Sequence, residues 1–196
     1  FKKRIKSKNK WLLPIKDFNI NPLPKTFTFR NNVHKVFGET IVRNLEASEQ
    51  GIDPTYYKNF IWERTYALTW DLTKALKFNY SGNNMSRVDE PYGRIDNQQK
   101  KDTLWSNILG FGRNTYYAQD FRATYDVPTK KIPALDWTTA TLTYGSTYNW
   151  TGAPMVAYNL GHTIANTQTK QLNIGMNFTQ MYNKSRHLKV INYPNP

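Results

Sequence analysis

Asp89, Glu90 and Asp96 are the residues of this 196-residue chain whose types and closeness could do chemistry, since clustered carboxylates supply the hard oxygen ligands of Ca²⁺. The regular ligand spacing of a calcium loop is missing, so the expectation is a loop salt-bridged to Arg87 and Arg94. Gly110, Gly112 and Arg113 copy part of a dinucleotide fingerprint, but Thr115 stands where the third glycine belongs and no strand-turn-helix context surrounds it. His34, His162 and His187 lie far apart without a supporting Ser or Asp motif. Five N-x-[ST] sequons, at Asn79, Asn84, Asn149, Asn177 and Asn183, are what chance produces in an Asn-rich, Thr-rich chain. The absence of cysteine removes disulfides, thiolate metal sites and cysteine nucleophiles. No catalytic, cofactor-binding or metal-ligating set is expected.

The elements that carry these residues are more informative. From Phe60 to Thr73 the chain reads FIWERTYALTWDLT, with Phe60, Trp62, Tyr66, Leu68, Trp70 and Leu72 at every second position, broken only by Arg64. Period two means a strand with one bulky apolar face and one mostly small, polar face. Its length exceeds both the usual five or six residues of a strand and the roughly nine to eleven that cross a bilayer at a tilt. Similar alternation is expected at 27–37, 76–88, 113–127, 135–150 and 164–182. Gly82, Asn83 and Asn84 suggest a bulge, residues 39–45 a short helix ended by Gly51, and 103–109 one or two helical turns stopped by Gly110. Lys74 and Ala75 form a tight turn, and the other connections alternate between short and long.

The net charge of +13 raises nucleic acid as a partner, but the charge is concentrated at the chain ends. Seven cations precede the first acid, Asp17, and four follow the last, Asp136, which leaves +2 between them. A nucleic-acid interface would spread basic residues over a folded face with stacking aromatics, so none is expected. Mean hydropathy is -0.71, and no run of about eighteen apolar residues is present to form a transmembrane helix. Barrel strands hide their lipid-facing residues among polar ones, so hydropathy does not speak against a membrane. The start at Phe1, without initiator Met or signal peptide, reads as a mature protein or a piece of a longer one.

About six strands, four of them long, with short and long connections in turn, describe a section of an antiparallel transmembrane β-barrel. Trp62, Tyr66, Leu68, Trp70 and Leu72 are expected to face lipid, and Glu63, Thr65, Thr69 and Asp71 an aqueous side. Trp62, Trp137 and Trp150 would suit the interfacial girdles. Six strands cannot close such a barrel, whose smallest members have eight. The section is therefore expected to pair with further chain. The domain reading is a basic, Pro-containing lead-in over 1–26, the barrel section over 27–185 and a tail over 186–196. Residues 89–111 and 151–161 are expected on the same side of the membrane, because each follows an upward strand in a simple hairpin series.

The stretch RTYALTWDLTKALKFNYSGNNMSRVDEP, the GFGR of 110–113, the IPALDW of 132–137, the LGHTIANTQTKQLN of 160–173 and the NFTQMYNKS of 177–185 resemble the SprA (Sov) family. That family forms the outer-membrane translocon of the type IX secretion system, and the resemblance runs in consistent order from about Phe27 to Ser185. It implies that Arg87, Asp89, Glu90, Pro91, Gly112, Arg113, Asp136 and Trp137 form a structural signature. It further implies location in the bacterial outer membrane, passage of folded proteins and, in some members, support of gliding motility. Implied partners are the remainder of one large barrel chain, outer-membrane and periplasmic components that cap or plug the pore, exported substrates and membrane lipid. The alternatives are a soluble β-sandwich or β-barrel glycan-binding module, whose aromatics would line a groove, and an outer-membrane transporter barrel of another family.

Overall fold

The computed structural model describes residues 19–42 and 52–185. Six strands form one antiparallel sheet in sequence order: β1 (Thr26–Thr40), β2 (Thr55–Trp70), β3 (Leu76–Arg87), β4 (Arg113–Val127), β5 (Thr138–Thr151) and β6 (Thr163–Met176). Among the described residues two α-helices interrupt the β structure, α1 (Gln98–Leu109) between β3 and β4, and the short α2 (Phe178–Tyr182) after β6. The chain is all-β in architecture, and the sheet is open. Among the described residues β1 and β6 each pair on one side only, leaving rows of backbone N–H and C=O groups along both edges.

The alternation seen in the sequence sorts side chains as a pleated strand requires. One face carries Phe27, Phe29 and Val33 of β1 opposite Leu68, Tyr66 and Trp62 of β2, and continues through Phe78 and Tyr80 of β3 to Phe121 of β4 and Leu142 and Leu172 of β5 and β6. The other presents Thr65, Ser81, Asp120, Thr147 and Thr167 with their neighbours. A ladder of rings, Trp70 to Phe78 to Phe121 to Tyr144, crosses four strands on the apolar face with centroids 5.9–6.3 Å apart. Such cross-strand aromatic pairs are worth about 0.2–1 kcal/mol each and fix register. The face is not uniformly apolar: Arg64, Asn84, Gln119, Asn166, Gln168 and Lys170 also lie on it.

No second layer forms among the described residues. Among the described residues the buried apolar side chains are Phe60, Val88 and Ala153, far short of the continuous core that a sandwich or closed small barrel would hold. The strands do not end level. The row through Asn32 of β1 passes Glu63, Met85, Tyr116 and Thr151 to reach Thr163, so β6 begins eight residues short of the end of β1 at Thr40. At the opposite end the row through Thr26 reaches Thr169, and β6 runs on for seven residues to Met176. That is a slide of about 1.5 residues, ~5 Å, for each ~4.8 Å of sheet width, so the line of strand ends slants at about 45°.

Connections of five and ten residues, 71–75 and 128–137, lie at one end of the sheet, here the turn end; connections of 14, 25 and 11 residues, 41–54, 88–112 and 152–162, lie at the other, the loop end. The two long connections expected on one side share the loop end.

Several boundaries depart from the sequence reading. β2 starts five residues before Phe60 and stops at Trp70, so Leu72 and Asp71 lie in the turn and not on the strand faces. Thr73 Oγ1 accepts from the amides of Ala75 and Leu76 and forms that turn. The irregularity expected at Gly82–Asn84 falls instead between Met85 and Ser86, where β4 carries an extra residue, Thr115, whose hydroxyl bonds the Met85 carbonyl at 3.0 Å. Gly82 stays in register with the Tyr80 hydroxyl lying over it. α1 is three turns, longer than expected, because Asn97 caps it by accepting from the Lys100 amide at 2.8 Å. β6 ends at Met176, and Asn177 caps α2 in place of a strand continuing to Tyr182. Of the helix expected at 39–45, Glu39 and Thr40 belong to β1; residues 43–51 lie outside the described residues, as do 1–18 and the tail 186–196.

Candidate functional site: a strap across the loop end

The signature residues of the β3–β4 connection come together at one place. Val88, only 2% exposed, continues the β3 ladder by donating its amide to the Phe60 carbonyl, and its burial pins the connection at its start. The Asp89 carboxylate then accepts from Arg113 Nε and Nη2 at 3.0 and 3.2 Å, a two-bond fork that closes the connection upon itself. Glu90, its side chain 3% exposed, lies between two lysines, with Oε1 2.7 Å from Lys35 Nζ on β1 and Oε2 3.7 Å from Lys58 Nζ on β2. Lys58 Nζ also donates to the Pro91 carbonyl at 2.7 Å. Farther along, Arg94 forks onto Glu39 at 2.8–3.1 Å, which raises its pKa chiefly through that hydrogen bond. These links carry the connection from β3 across β2 to the edge strand β1 and over the apolar face, since Lys35, Lys58 and Glu39 lie on that face.

The far foot of the strap rests on Arg64, the residue that broke the alternation of β2. Its guanidinium lies 5.4 Å from the Trp62 ring and 5.3 Å from the Phe111 ring, beside a pair of rings whose own centroids are 5.7 Å apart. Nη2 donates to Asn84 at 2.6 Å and to Ser86 at 3.2 Å, with longer contacts to the Phe111 carbonyl and Asn114 at 3.4 Å. Arg64 Nε is buried and meets no acceptor. Phe111 and Gly112 both take the left-handed conformation, φ 62° and 68°, to bring the ring down. A Cβ on Gly112 would sit 2.8 Å from the Arg87 carbonyl oxygen. That contact explains the glycine of the GFGR run; it has no bearing on dinucleotide binding.

The three carboxylates that suggested a cation are each engaged by basic side chains. Asp96 pairs with Lys100 at 3.1 Å, and that hydrogen bond, with help from backbone amides, holds its pKa below the usual carboxylate value. The expected partners were wrong: Arg87 donates to the Lys58 carbonyl at 3.3 Å, Arg94 takes Glu39, and Asp89 and Glu90 take Arg113, Lys35 and Lys58. Among the described residues no group of three metal-ligating side chains converges. His34 sits on the polar face opposite Ile61, His162 accepts from the Ala153 amide at 3.1 Å beside Trp150, and His187 lies outside the described residues.

The remaining signature pair is at the turn end. Trp137 stacks on Phe178 of α2 with centroids 6.1 Å apart and donates to the Ala134 carbonyl at 2.8 Å, while Asp136 pairs with Lys184. Of the residues expected to face lipid, Trp62, Tyr66, Leu68 and Trp70 share the apolar face and Leu72 does not. Glu63, Thr65 and Thr69 lie opposite, as alternation requires. Lys35, Glu39 and Lys58 carried no sequence signal as partners, because pairing across 32 to 55 residues leaves no local pattern. A scan against protein-family models and a search of curated proteins each give no match for the chain.

Proposed function

We propose that this chain is a section of the wall of an outer-membrane protein translocon, of the kind that passes folded proteins in type IX secretion and supports gliding motility. The observation that carries this reading is the slanted open sheet: among the described residues, six strands, two sparsely covered faces and two unpaired edges. Such a sheet has no stable existence alone in water, because its apolar face holds many exposed large side chains. The slant of about 45° matches the tilt of barrel strands, and at that tilt a 14-residue strand rises about 32 Å, enough for the ~25 Å apolar band of an outer-membrane barrel.

In this reading Trp62, Tyr66, Leu68 and Trp70 meet lipid, Thr65, Ser81 and Thr147 face the aqueous pore, and further strands of the same barrel pair with β1 and β6. The long connections lie outside the cell and the short turns in the periplasm. Capping and plug components, exported proteins and lipid are the partners, and passage rather than catalysis is the role. The resemblance to the SprA family supplies the secretion system, and the two-sided patterning is consistent with it.

Cargo arrested in transit tests the proposal. The chain has no cysteine, so single substitutions Thr65→Cys, Thr147→Cys and Leu68→Cys in the full-length protein report cleanly. Disulfide crosslinks to an arrested folded substrate are expected from the first two and not from the third. Crosslinks from none of them, with export proceeding normally past this section, would sink the proposal.

A further inference from the structure

Helix α1 carries Trp105 and Leu109 outward, away from the strap on which it sits. It is anchored inward through Asn107, which donates to the Asp89 carbonyl at 2.7 Å, and Lys100, which donates to the Arg94 carbonyl at 3.0 Å. Leu104 and Ile108 are half-buried on that inner side, and no residue of the helix is fully buried. Trp105 and Leu109, one turn apart and therefore on one stripe, point the other way and are 61% and 75% exposed. The position of the strap bears on what meets that stripe. Both feet of the strap stand on the apolar face of the sheet, Glu90 at Lys35 and Lys58, and Phe111 on Trp62 with ring centroids 5.7 Å apart. The apolar surface therefore runs from Val33 and Trp62 through Phe111, itself 56% exposed, to Leu109 and Trp105.

We infer that α1 is an interfacial helix whose last two turns lie in the headgroup layer of the bilayer that the apolar face meets. The inference rests on the proposed membrane wall and adds to it a specific lipid-contact element at the loop end. Trp105 has the amphipathic ring favoured at that depth. Charge is distributed to match: Lys101, with no carboxylate partner among the described residues, flanks Trp105 and suits a lipid phosphate. Asp102, on the outer stripe but nearer the N-terminus, is held by the Gln98 amide at 2.8 Å and stays at the level of water and headgroups. The helix thus enters at a shallow angle, with its C-terminal half deeper, and does not span.

Spin labels on single cysteines test this in the full-length protein in its native membrane vesicles, with variants first checked for normal resistance to unfolding by detergent. Labels at Trp105→Cys and Leu109→Cys are expected to collide at least threefold more with oxygen, relative to a water-soluble nickel chelate, than labels at Gln99→Cys and Thr103→Cys. Preferential access of the nickel chelate to 105 and 109, with Leu68→Cys still reporting lipid, would overturn the interfacial helix and leave the membrane wall intact. Shielding of 105 and 109 from both reagents would assign the stripe to a protein partner and equally overturn it. Water exposure at Leu68→Cys as well would remove the wall reading and the helix with it.

Discussion

Leu68→Arg and Ala67→Arg differ by one residue in position and by a whole sheet face in consequence. On the membrane-wall reading Leu68 lies on the lipid face in the row Phe27, Leu68, Tyr80, Phe121, two residues before β2 ends at Trp70, and so, in a tilted wall, between the midplane and the turn-end interface. An arginine on the lipid face costs about 2–4 kcal/mol at the midplane and ~0–1 kcal/mol at the interfaces, so about 1–2 kcal/mol is expected at Leu68, a shift of roughly fivefold to thirtyfold in the folding equilibrium at ~1.4 kcal/mol per factor of ten. Ala67 faces the other way between Thr28 and Ser81, with Asp120 next in the same row. A guanidinium there stays in water near a carboxylate, so its cost should fall within ~0.5 kcal/mol. Urea unfolding of the full-length protein folded into bilayers, followed by tryptophan fluorescence, compares the two directly. Equal costs, or a larger cost for Ala67→Arg, would refute the assignment of faces, and two negligible costs would take this part of the sheet out of the membrane.

The strap gives two further tests. Glu90→Gln leaves Lys35 and Lys58 without their shared carboxylate; because Glu90 is nearly buried but Lys35 is 42% exposed, the cost should be about 2 kcal/mol, below the ~3–5 kcal/mol of breaking a wholly buried pair. Hydrogen exchange over 88–97 should accelerate accordingly, and unchanged protection would show that the ion pairs do not hold the strap. Gly112→Ala and Gly161→Ala both place a Cβ at positive φ, 68° and 77°, which costs roughly 1–2 kcal/mol. Only the first also drives that carbon to 2.8 Å from a backbone oxygen, while the second meets nothing within 4 Å. Thermal unfolding should therefore separate the two variants, with Gly112→Ala the lower, and equal midpoints would mean that the strap has room to move.

The strands were legible because period two survives in any context that leaves one face apolar, and the Arg113–Val127 strand was found to the residue. Boundaries were lost where a side chain bonds backbone locally. Thr73 ends β2's reach by capping a turn, and Asn177 converts the end of an apolar alternation into a helix. Leu72 was assigned to a face for that reason: its spacing fitted, but the hydroxyl one residue later decided the chain's path. Arg64 stood out in the sequence as an error in the pattern, and its meaning needed Phe111, 47 residues away, to become visible. The ion pairs of the strap were misassigned because the nearest arginines in sequence, Arg87 and Arg94, point at other groups once β1 and β2 bring Glu39, Lys35 and Lys58 alongside.

The slant of the strand ends also sets a perimeter. A strand tilted at about 45° occupies ~4.8 Å divided by its cosine, or about 7 Å, of circumference, so six supply about 41 Å. Bent into a ring by themselves they would enclose a bore only about 13 Å across between backbones, which inward side chains would fill. A folded domain of ~100 residues, with a radius of gyration of ~13 Å, is about 34 Å wide. Allowing ~5 Å of side chain on each side, its passage needs a ring near 44 Å across, and therefore about twenty strands. On the translocon reading this chain then forms less than a third of the circumference, and its two bare edges are seams within a wide wall.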